Sequence, residues 1–472
     1  MARITVGDVL VDGLARAGAS RVFTAPGAPV PLVAAAHRRA LDVVAAPDTA
    51  SAGLLAAVSG EIGDGPGAAV AGLGDAAGLV RGLAHAQRDR APLIVLTGGV
   101  ADTGLMAPVV KASIVVEPVS AGHWIAHAAH LAMADPRGPV HLAVRPEALD
   151  QPALAVAASC RRAPLPPSTP GSLDALADAI EGAARPLLVT GLECGPDDAK
   201  WIRAFAEALP APVLATPKGK GALADPHPLA LGPLGAGHPA LARADLVLLV
   251  GVDAGELPPS ALPAGTRVAR IGRGGWHGSA LVAEALGELA LVIEELAPRV
   301  RARPAADWDV AELDRIKRAA GRQAAATPEG RLVALAREAT PAGTLATADV
   351  PALAAWQAVR PREALSPLGT AAPGYAVMAA VAAGLAHPDR HVVAFTSPRG
   401  LAAAETALTL AVARRLSVIV VVLGALEEDV RARLERPGLL ALVSGGEAGF
   451  AADLSRALLS RRPSLVAVRP GA

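Results

Sequence analysis

The segment HVVAFTSPRGLAAAE, residues 391–405, has the features of an anion-binding junction. The apolar run His391–Phe395 predicts a buried strand, Thr-Ser-Pro-Arg-Gly predicts a tight turn, and the alanine-rich stretch predicts a helix start. Free N–H groups and the dipole at a helix N-terminus suit a phosphate, and an Asp in such a turn can hold a divalent ion. This turn contains no carboxylate, so its residues leave open what it binds.

Other common catalytic arrangements are absent from the sequence, which has no H-E-x-x-H, G-x-S-x-G, P-loop or CxxC pattern. The loop GLGDAAG (72–78) follows a predicted strand and opens a predicted helix. Its glycine spacing does not fit the dinucleotide fingerprint. It is therefore a weak indication of a ligand loop.

Composition narrows the class of protein. Lys+Arg and Asp+Glu both number 44, so no net charge indicates a nucleic-acid partner or an acidic membrane. Two cysteines, Cys160 and Cys194, exclude a disulfide framework and favour a reducing compartment. No secretion signal is visible, and the stretch 416–426 is shorter than the roughly 20 residues of a membrane helix. We expect a cytoplasmic protein without a membrane segment.

The elements that position the junction can be predicted from short apolar runs, each followed by a Gly or Pro turn and a helical stretch. Strands without alternation, separated by helices, indicate parallel sheets covered on both faces, and the fold class is therefore α/β. The nine runs are RVFTAPG, GAAVAGLG, PLIVLTGG, PVHLAVRP, PLLVTGLE, ADLVLLVG, HVVAFTS, SVIVVVLG and PSLVAVRP.

Two stretches interrupt this pattern and are interpreted as linkers, CRRAPLPPSTPGS (160–172) and RVRARPAADWD (299–309). Three α/β domains follow from them, at 1–158, 172–298 and 330–472, each predicted to be a mostly parallel sheet flanked by helices.

Longer stretches carry a resemblance that covers nearly the whole chain. They are VLVDGLARAGASRVFTAPGAPVPLVAA, AGLVRGLAHAQRDRAPLIVLTGG, RGPVHLAVRPEAL, APVLATPKGKGALADPHPLALGPLG, ADLVLLVGVD and PGYAVMAAVAAGLAHPDRHVVAF running into LSVIVVVLG. Together they resemble the thiamine-diphosphate-dependent enzyme family, in its acetolactate synthase and 2-oxo-acid decarboxylase branch. The resemblance implies a pyrimidine-binding, a central and a diphosphate-binding domain, in a homodimer or homotetramer with active sites between subunits.

The resemblance also implies a buried carboxylate that activates the aminopyrimidine of the cofactor, a Glu in the family. Asp48 takes this position if one residue is inserted near Asp64–Gly65, and Thr49 takes it otherwise. The shorter Asp side chain would lengthen the contact by roughly 1 Å. The alternative interpretation is that Asp48 caps the following helix.

The cofactor's diphosphate is a second implication, since the family holds its divalent ion on an Asp in a G-D-G turn and an Asn in an N-N pair about two dozen residues later. Here Ser397-Pro398-Arg399 occupies the turn and Gly424-Ala425 the paired-Asn position. Neither metal ligand is present, and Glu427, Glu428 and Asp429 are predicted to lie on a solvated helix start. The candidate cofactor contacts are Ser397, Arg399, Gly400, Gly374, Tyr375 and Gly424.

Further departures concern substrate and cofactor positioning. Pro373 stands where the family places a bulky apolar side chain beneath the thiazolium. The segment GLMAPVVKAS (104–113) replaces one that often bears a glutamine, and the region after Gly424-Ala425 is shortened. Some family members carry a flavin in the central domain, near PKGKGALADPHP (217–228), but the sequence does not decide flavin content. Lys218, Lys220 and His227 are predicted to be loop surface.

Three hypotheses stay open. In the first, the chain is a non-catalytic or regulatory homologue, and a catalytic relative is a candidate partner. In the second, it is an active lyase or carboligase on a 2-oxo acid, with Asp48 as the activating carboxylate and Arg399 bound to the diphosphate. In the third, it binds another anionic metabolite. Losing both metal ligands should cost several kcal/mol of cofactor affinity, while one exposed Arg returns about 1–3 kcal/mol. The sequence therefore favours the first hypothesis, with weak thiamine diphosphate binding and no Mg²⁺.

Overall fold

The computed structural model describes residues 4–72, 75–100, 102–235, 237–257, 261–278, 280–301, 306–369, 372–426 and 437–471. They form three six-stranded sheets. Every strand pair whose register is described is parallel, as the runs of continuous apolar residues predict. Among these residues, none of the helices combines the length and the apolarity that crossing a membrane would require.

The first sheet is built from the N-terminal part of the chain. Its elements are α1 (Val6–Ala17), β1 (Arg21–Thr24), α2 (Val30–Arg38), β2 (Asp42–Ala45), α3 (Thr49–Ile62), β3 (Gly67–Ala71), α4 (Val80–Arg88), β4 (Leu93–Thr97), α5 (Asp102–Met106), β5 (Ala112–Val115), α6 (Ala121–Met133) and β6 (Pro139–Ala143). The strand order is β2-β1-β3-β4-β6-β5. Strands β3, β4 and β6 are buried along their whole length.

The second sheet is built from the middle of the chain, and a helix follows the second predicted linker. The elements are α7 (Pro170–Glu181), β7 (Pro186–Thr190), α8 (Ala199–Ala208), β8 (Val213–Ala215), β9 (Ala230–Pro233), β10 (Leu246–Val250), β11 (Val268–Gly272), β12 (Ala283–Leu286), α9 (Leu289–Leu296) and α10 (Val310–Ala324). The strand order is β9-β8-β7-β10-β11-β12, so successive strands run outward from the central pair β7 and β10.

The third sheet is built from the C-terminal part of the chain. The elements are α11 (Pro328–Ala339), β13 (Leu345–Ala348), β14 (Ala364–Leu365), α12 (Tyr375–Ala386), β15 (Val392–Thr396), α13 (Pro398–Ala413), β16 (Val418–Leu423), β17 (Leu440–Ser444), α14 (Glu447–Ser460) and β18 (Ser464–Val468). The strand order is β14-β13-β15-β16-β18-β17. Strands β15, β16 and β18 are buried throughout.

The chain divides into two compact units that do not follow its linear order. One comprises residues 1–163, 372–389 and 399–418, and the other residues 164–371, 390–398 and 419–472. Helix α12, which is buried on nearly all sides, packs against α3 in the first unit. An apolar helix without a polar face needs such enclosure.

The α/β prediction is confirmed, and all nine predicted strands are present. The three-domain division at 1–158, 172–298 and 330–472 stays a prediction. Each sheet lies inside one of these ranges, while the compact units combine parts of them.

Candidate functional site

The junction at residues 391–405 has the predicted form of a strand, a turn and a helix. Strand β15 ends at Thr396, and α13 begins at Pro398 after the half-buried Ser397. Arg399 is exposed and Gly400 is buried in the first turn of α13. The backbone thus provides the helix N-terminus that the sequence predicts for an anion.

The neighbouring strand end lies close to this turn. Strand β16 is adjacent to β15 in the sheet, and Gly424 follows it with φ +151°, a backbone conformation that L side chains rarely adopt. A Cβ atom at Gly424 would lie 2.8 Å from Cγ of Pro398. The middle residue of the turn and the first residue of Gly424-Ala425, the pair that matches the family's two Asn residues, are therefore in direct contact, with a proline ring against a glycine.

A carboxylate lies at the same edge of the sheet, one strand away from β15. Asp349 follows β13, which pairs with β15, and its Oδ2 accepts a hydrogen bond from the Thr396 hydroxyl at 3.1 Å. Asp349 is not among the site residues predicted from the sequence, although an Asp directly after a run of small residues is a recognisable signal. Glu427, Glu428 and Asp429, predicted nearby, lie outside the described residues.

Gly374 and Tyr375 lie at the start of α12. Gly374 has φ +86°, and a Cβ there would lie 2.8 Å from Cβ of Ala404 and 3.2 Å from the Gly400 carbonyl oxygen. The structure thus brings the predicted residues Gly374 and Gly400 together. Tyr375 is 1% exposed, with its ring centroid 5.1 Å from that of His85.

The Asp48 side chain caps a helix. It lies at the N-cap of α3, where Oδ1 accepts a hydrogen bond from the Ser51 N–H at 2.7 Å, and the residue is exposed. Thr49, the other candidate register, is buried, and its hydroxyl donates to the Asp75 carboxylate. The catalytic role of Asp48 stays a prediction, while the capping geometry is present.

A cluster of possible metal ligands lies between α3 and α4. His85 Nε2 is 3.9 Å from Glu61 Oε2, and His85 Nδ1 is 3.7 Å from Asp89 Oδ1. One ligand atom from each residue lies within 4.8 Å of the others. Because the two ring nitrogens face different carboxylates, contacts of His85 with both residues account for this arrangement without a metal. The cluster could not be predicted from the sequence, because Glu61 lies on α3 while His85 and Asp89 lie at the end of α4.

A cavity of about 420 Å³ lies in the second compact unit at the carboxyl ends of β8, β9 and β13. Its polar lining includes Thr216, Lys220, Asp225 and Asp349, and most of the remaining lining is apolar. Lys220 Nζ lies 2.8 Å from Asp225 Oδ2, and Asp225 also accepts the Ala358 N–H at 2.8 Å. The prediction that Lys220 is loop surface is wrong, because its side chain is 12% exposed and ion-paired.

Family models match two parts of the chain. Residues 4–107 match the N-terminal TPP binding domain of thiamine pyrophosphate enzymes, and residues 173–277 match their central domain. An X-ray structure assigned to a thiamin diphosphate-dependent enzyme of Mycobacterium smegmatis is 22% identical and covers 98% of this chain and 99% of that one, with a TM-score of 0.82. The last comparison supports the fold alone.

Three relatives with assigned names are similar in sequence. A Mycobacterium tuberculosis protein assigned as acetolactate synthase large subunit IlvB2 is 30% identical over 290 residues, which cover 54% of this chain and 52% of that protein. The acetolactate synthase large subunit of Parasynechococcus marenigrum is 29% identical over 447 residues, covering 81% and 70%. The catabolic acetolactate synthase of Raoultella terrigena is 25% identical over 460 residues, covering 87% and 81%.

The two family-model matches and the acetolactate synthase relatives support the thiamine-diphosphate-dependent enzyme family for this chain, as the sequence resemblance predicts. Within that family it is acetolactate synthase-like, at modest identity. The match spans about half the length of the M. tuberculosis relative.

Proposed function

We propose that this chain is a non-catalytic, acetolactate synthase-like homologue that keeps the family fold and does not hold a metal-bridged diphosphate. The contact between Pro398 and Gly424 carries the proposal. The family's metal would lie between these two strand ends. Here the Pro398 ring packs so closely against Gly424 that a Cβ atom on the glycine would overlap the ring. Neither residue has a side-chain oxygen for a hard cation.

Electrostatics support the same proposal. Asp349 is a carboxylate at this edge, and its Oδ2 already accepts a hydrogen bond from the Thr396 hydroxyl. Without a bound cation, a carboxylate near a diphosphate would repel it. The residues of the junction therefore do not fit thiamine diphosphate with Mg²⁺.

The alternative is an active thiamine-diphosphate-dependent 2-oxo-acid lyase or carboligase with altered contacts. Its support is the exposed Arg399 in the first turn of α13, where a guanidinium could bind phosphate oxygens directly. In this hypothesis Asp48 activates the cofactor, and the side chain would have to leave its cap on Ser51.

Calorimetric titration with thiamine diphosphate tests both hypotheses, with and without Mg²⁺. We expect no binding in the micromolar range. Micromolar, metal-dependent binding would overturn the proposal, and metal-free binding that disappears in Arg399→Ala would favour the alternative. The variant with Pro398→Asp and Gly424→Asn restores two side-chain oxygens and is expected to gain metal-dependent affinity over the wild type.

The third hypothesis, a binder of another anionic metabolite in the remaining cofactor cleft, stays a prediction. The cavity beside β8 and β13 is a separate space, and its charged groups do not favour an anion. The charge of Lys220 is balanced by Asp225, and Asp349 adds a further carboxylate. These groups favour a neutral or cationic ligand over an anion.

We further propose a cytoplasmic homodimer or homotetramer, with a catalytic homologue as a candidate partner. The basis is the acetolactate synthase-like sequence, since related proteins of this family form active sites between subunits. Light scattering after size-exclusion chromatography measures the oligomer. A pulldown that recovers a longer homologue with an intact G-D-G turn would support the partner role, and a monodisperse monomer would contradict the oligomer.

A further inference from the structure

The central sheet has the strand order of dinucleotide-binding domains. The order β9-β8-β7-β10-β11-β12 reverses direction between β7 and β10. In open parallel sheets a ligand binds in the crevice at the carboxyl ends of the strands on either side of this reversal. Backbone N–H groups after the strands then bind the ligand's phosphates. Since some family members carry a flavin in this domain, the crevice is where a dinucleotide would be expected.

In this chain a glutamate takes the hydrogen-bond donors of the crevice. Glu256 Oε2 accepts from the Leu192 N–H, after β7, at 2.9 Å, and from the Asp253 N–H, after β10, at 3.0 Å. Glu256 Oε1 accepts from the Thr216 hydroxyl, after β8, at 2.5 Å. Donors from three adjacent strand ends thus converge on one buried side chain.

The space beside these donors is also filled. A Cβ atom at Gly191, between β7 and Leu192, would lie 2.5 Å from Glu256 Oε2 and 2.5 Å from Cα of Val252. A pyrophosphate needs close approach to the backbone at such a glycine. Here the Glu256 carboxylate and the loop after β10 already occupy the space beside Gly191.

On the other side of β10, a buried arginine joins the strand ends. Arg270 in β11 is 1% exposed, and its Nε donates to the Val252 carbonyl at 3.2 Å while Nη2 donates to Glu193 Oε1 at 3.1 Å. Its Nη1 donates to the Gly274 carbonyl at 2.7 Å. The loops after β7, β10 and β11 are therefore held together by one guanidinium.

We infer that the Glu256 side chain occupies the anion-binding crevice of the central sheet, and that this sheet therefore binds neither a flavin nor a nicotinamide dinucleotide. The inference concerns a different sheet from the proposed function. Each can fail without the other, because one is tested with dinucleotides and the other with thiamine diphosphate.

The direct test titrates full-length wild-type protein with FAD and, separately, with NADH, following the fluorescence of each. We expect no saturable change with either probe and no flavin absorbance in the purified protein. Saturable quenching of FAD at one equivalent per chain, or flavin that remains bound through purification, would overturn the inference.

A second test asks whether the donors form an anion site when the carboxylate is removed. In Glu256→Ala, added formate is expected to raise the thermal unfolding midpoint, because its carboxylate can accept from the freed donors. The wild type and Leu214→Ala, a variant of the buried strand β8 that loses packing alone, are expected to show no comparable rise. An equal formate response in all three proteins would contradict the inference.

If Glu256→Ala does not fold, Glu256→Ser takes its place, because a short neutral side chain leaves the donors accessible without a second carboxylate beside the added formate. The formate response is then expected in Glu256→Ser. Absence of that response in a folded Glu256→Ser variant counts against the inference as strongly as in Glu256→Ala.

Discussion

Gly424 and Pro398 meet at the ends of adjacent strands, where a Cβ on the glycine would lie 2.8 Å from Cγ of the proline. Gly424→Ala should therefore destabilise the protein by about 1–3 kcal/mol through overpacking. In a Pro398→Ala background the penalty should shrink, giving a coupling free energy above about 0.5 kcal/mol. Urea unfolding of the four proteins of this cycle measures the coupling.

Gly445→Ala is the matched control for this cycle. Gly445 follows β17 in the same sheet, and a Cβ there would have no atom within 4 Å among the described residues. We expect a change within about 0.5 kcal/mol. Strictly additive effects of the Gly424 and Pro398 substitutions would show that the contact is absent in solution.

His141 makes stability depend on pH in one direction. It is fully buried in β6, between the Thr97 hydroxyl at 2.9 Å and the Ser113 hydroxyl at 2.8 Å, and burial lowers its pKa to about 4 from the usual 6.5. Between these two pKa values the unfolded chain binds more protons than the folded protein. The free energy of unfolding should fall by up to about 3 kcal/mol as the pH falls through this window.

The variant His141→Gln removes this titration while keeping a hydrogen-bonding side chain. Relative to the wild type, its free energy of unfolding should depend less steeply on pH between about 4 and 6.5. Chemical denaturation across that range measures the difference in slope. Parallel curves for both proteins would mean that the His141 ring is protonated or solvated in the folded state.

Glu256 makes stability depend on pH in the opposite direction. Burial raises its pKa to about 7 from 4.5, against the lowering effect of its three hydrogen bonds. The folded protein therefore binds more protons than the unfolded chain between these values. The corresponding contribution to stability is present at low pH and is lost as the pH rises towards 7.

Glu256→Gln should abolish this dependence, so that the variant gains stability relative to the wild type as the pH rises from about 4.5 to 7. In the wild type the opposing contributions of His141 and Glu256 overlap and partly cancel, which is why single variants reveal them. A constant difference between the Glu256→Gln variant and the wild type across the window would indicate a carboxylate that is already ionised at the lower end of this range in the folded protein.

The cap on α3 separates the two interpretations of Asp48. Asp48→Ala removes the acceptor of the Ser51 N–H and should cost about 1 kcal/mol, whereas Asp48→Asn keeps an acceptor and should cost a few tenths. Thermal and urea unfolding measure both. If the residue also activates a cofactor, 2-oxo-acid turnover would be lost in both variants, although only one loses the cap.

Asp225 and Lys220, the ion pair in the wall of the cavity beside β8, should contribute unequally to the free energy of unfolding. Asp225→Ala removes the partner of Lys220 and the acceptor of the Ala358 N–H, so we expect a loss of roughly 3 kcal/mol. Lys220→Met keeps the second of these contacts and should cost less. Equal losses in the two variants would argue that the backbone hydrogen bond contributes nothing.

The sequence predicted the strands whose residues are buried on both faces, because they form continuous apolar runs. Strands that are very short, or that lack a continuous apolar run, were not predicted. Strand β14 has two residues, β17 alternates between buried and exposed positions, and β11 contains the buried Arg270. Their pairing depends on neighbours distant in the chain, which a local pattern does not contain.

The candidate site divides in the same way. Ser397, Arg399 and Gly424 could be placed at strand ends because each follows a predicted strand, and the structure has them there. Glu256 gave no signal, since an acidic residue in a polar loop resembles a surface residue until the three strand ends around it are known. Lys220 was misassigned for a related reason, because its partner Asp225 fixes it only in the folded loop.

The chain leaves the first compact unit after residue 163 and returns to it twice, at 372–389 and 399–418. A truncated fragment ending at residue 163 would therefore lack α12 and leave the apolar surface of α3 open to water. We expect such fragments to aggregate unless the later helices are supplied on the same or a second polypeptide. Recombination that exchanges only the N-terminal third of the gene would separate α3 from the helix that packs against it.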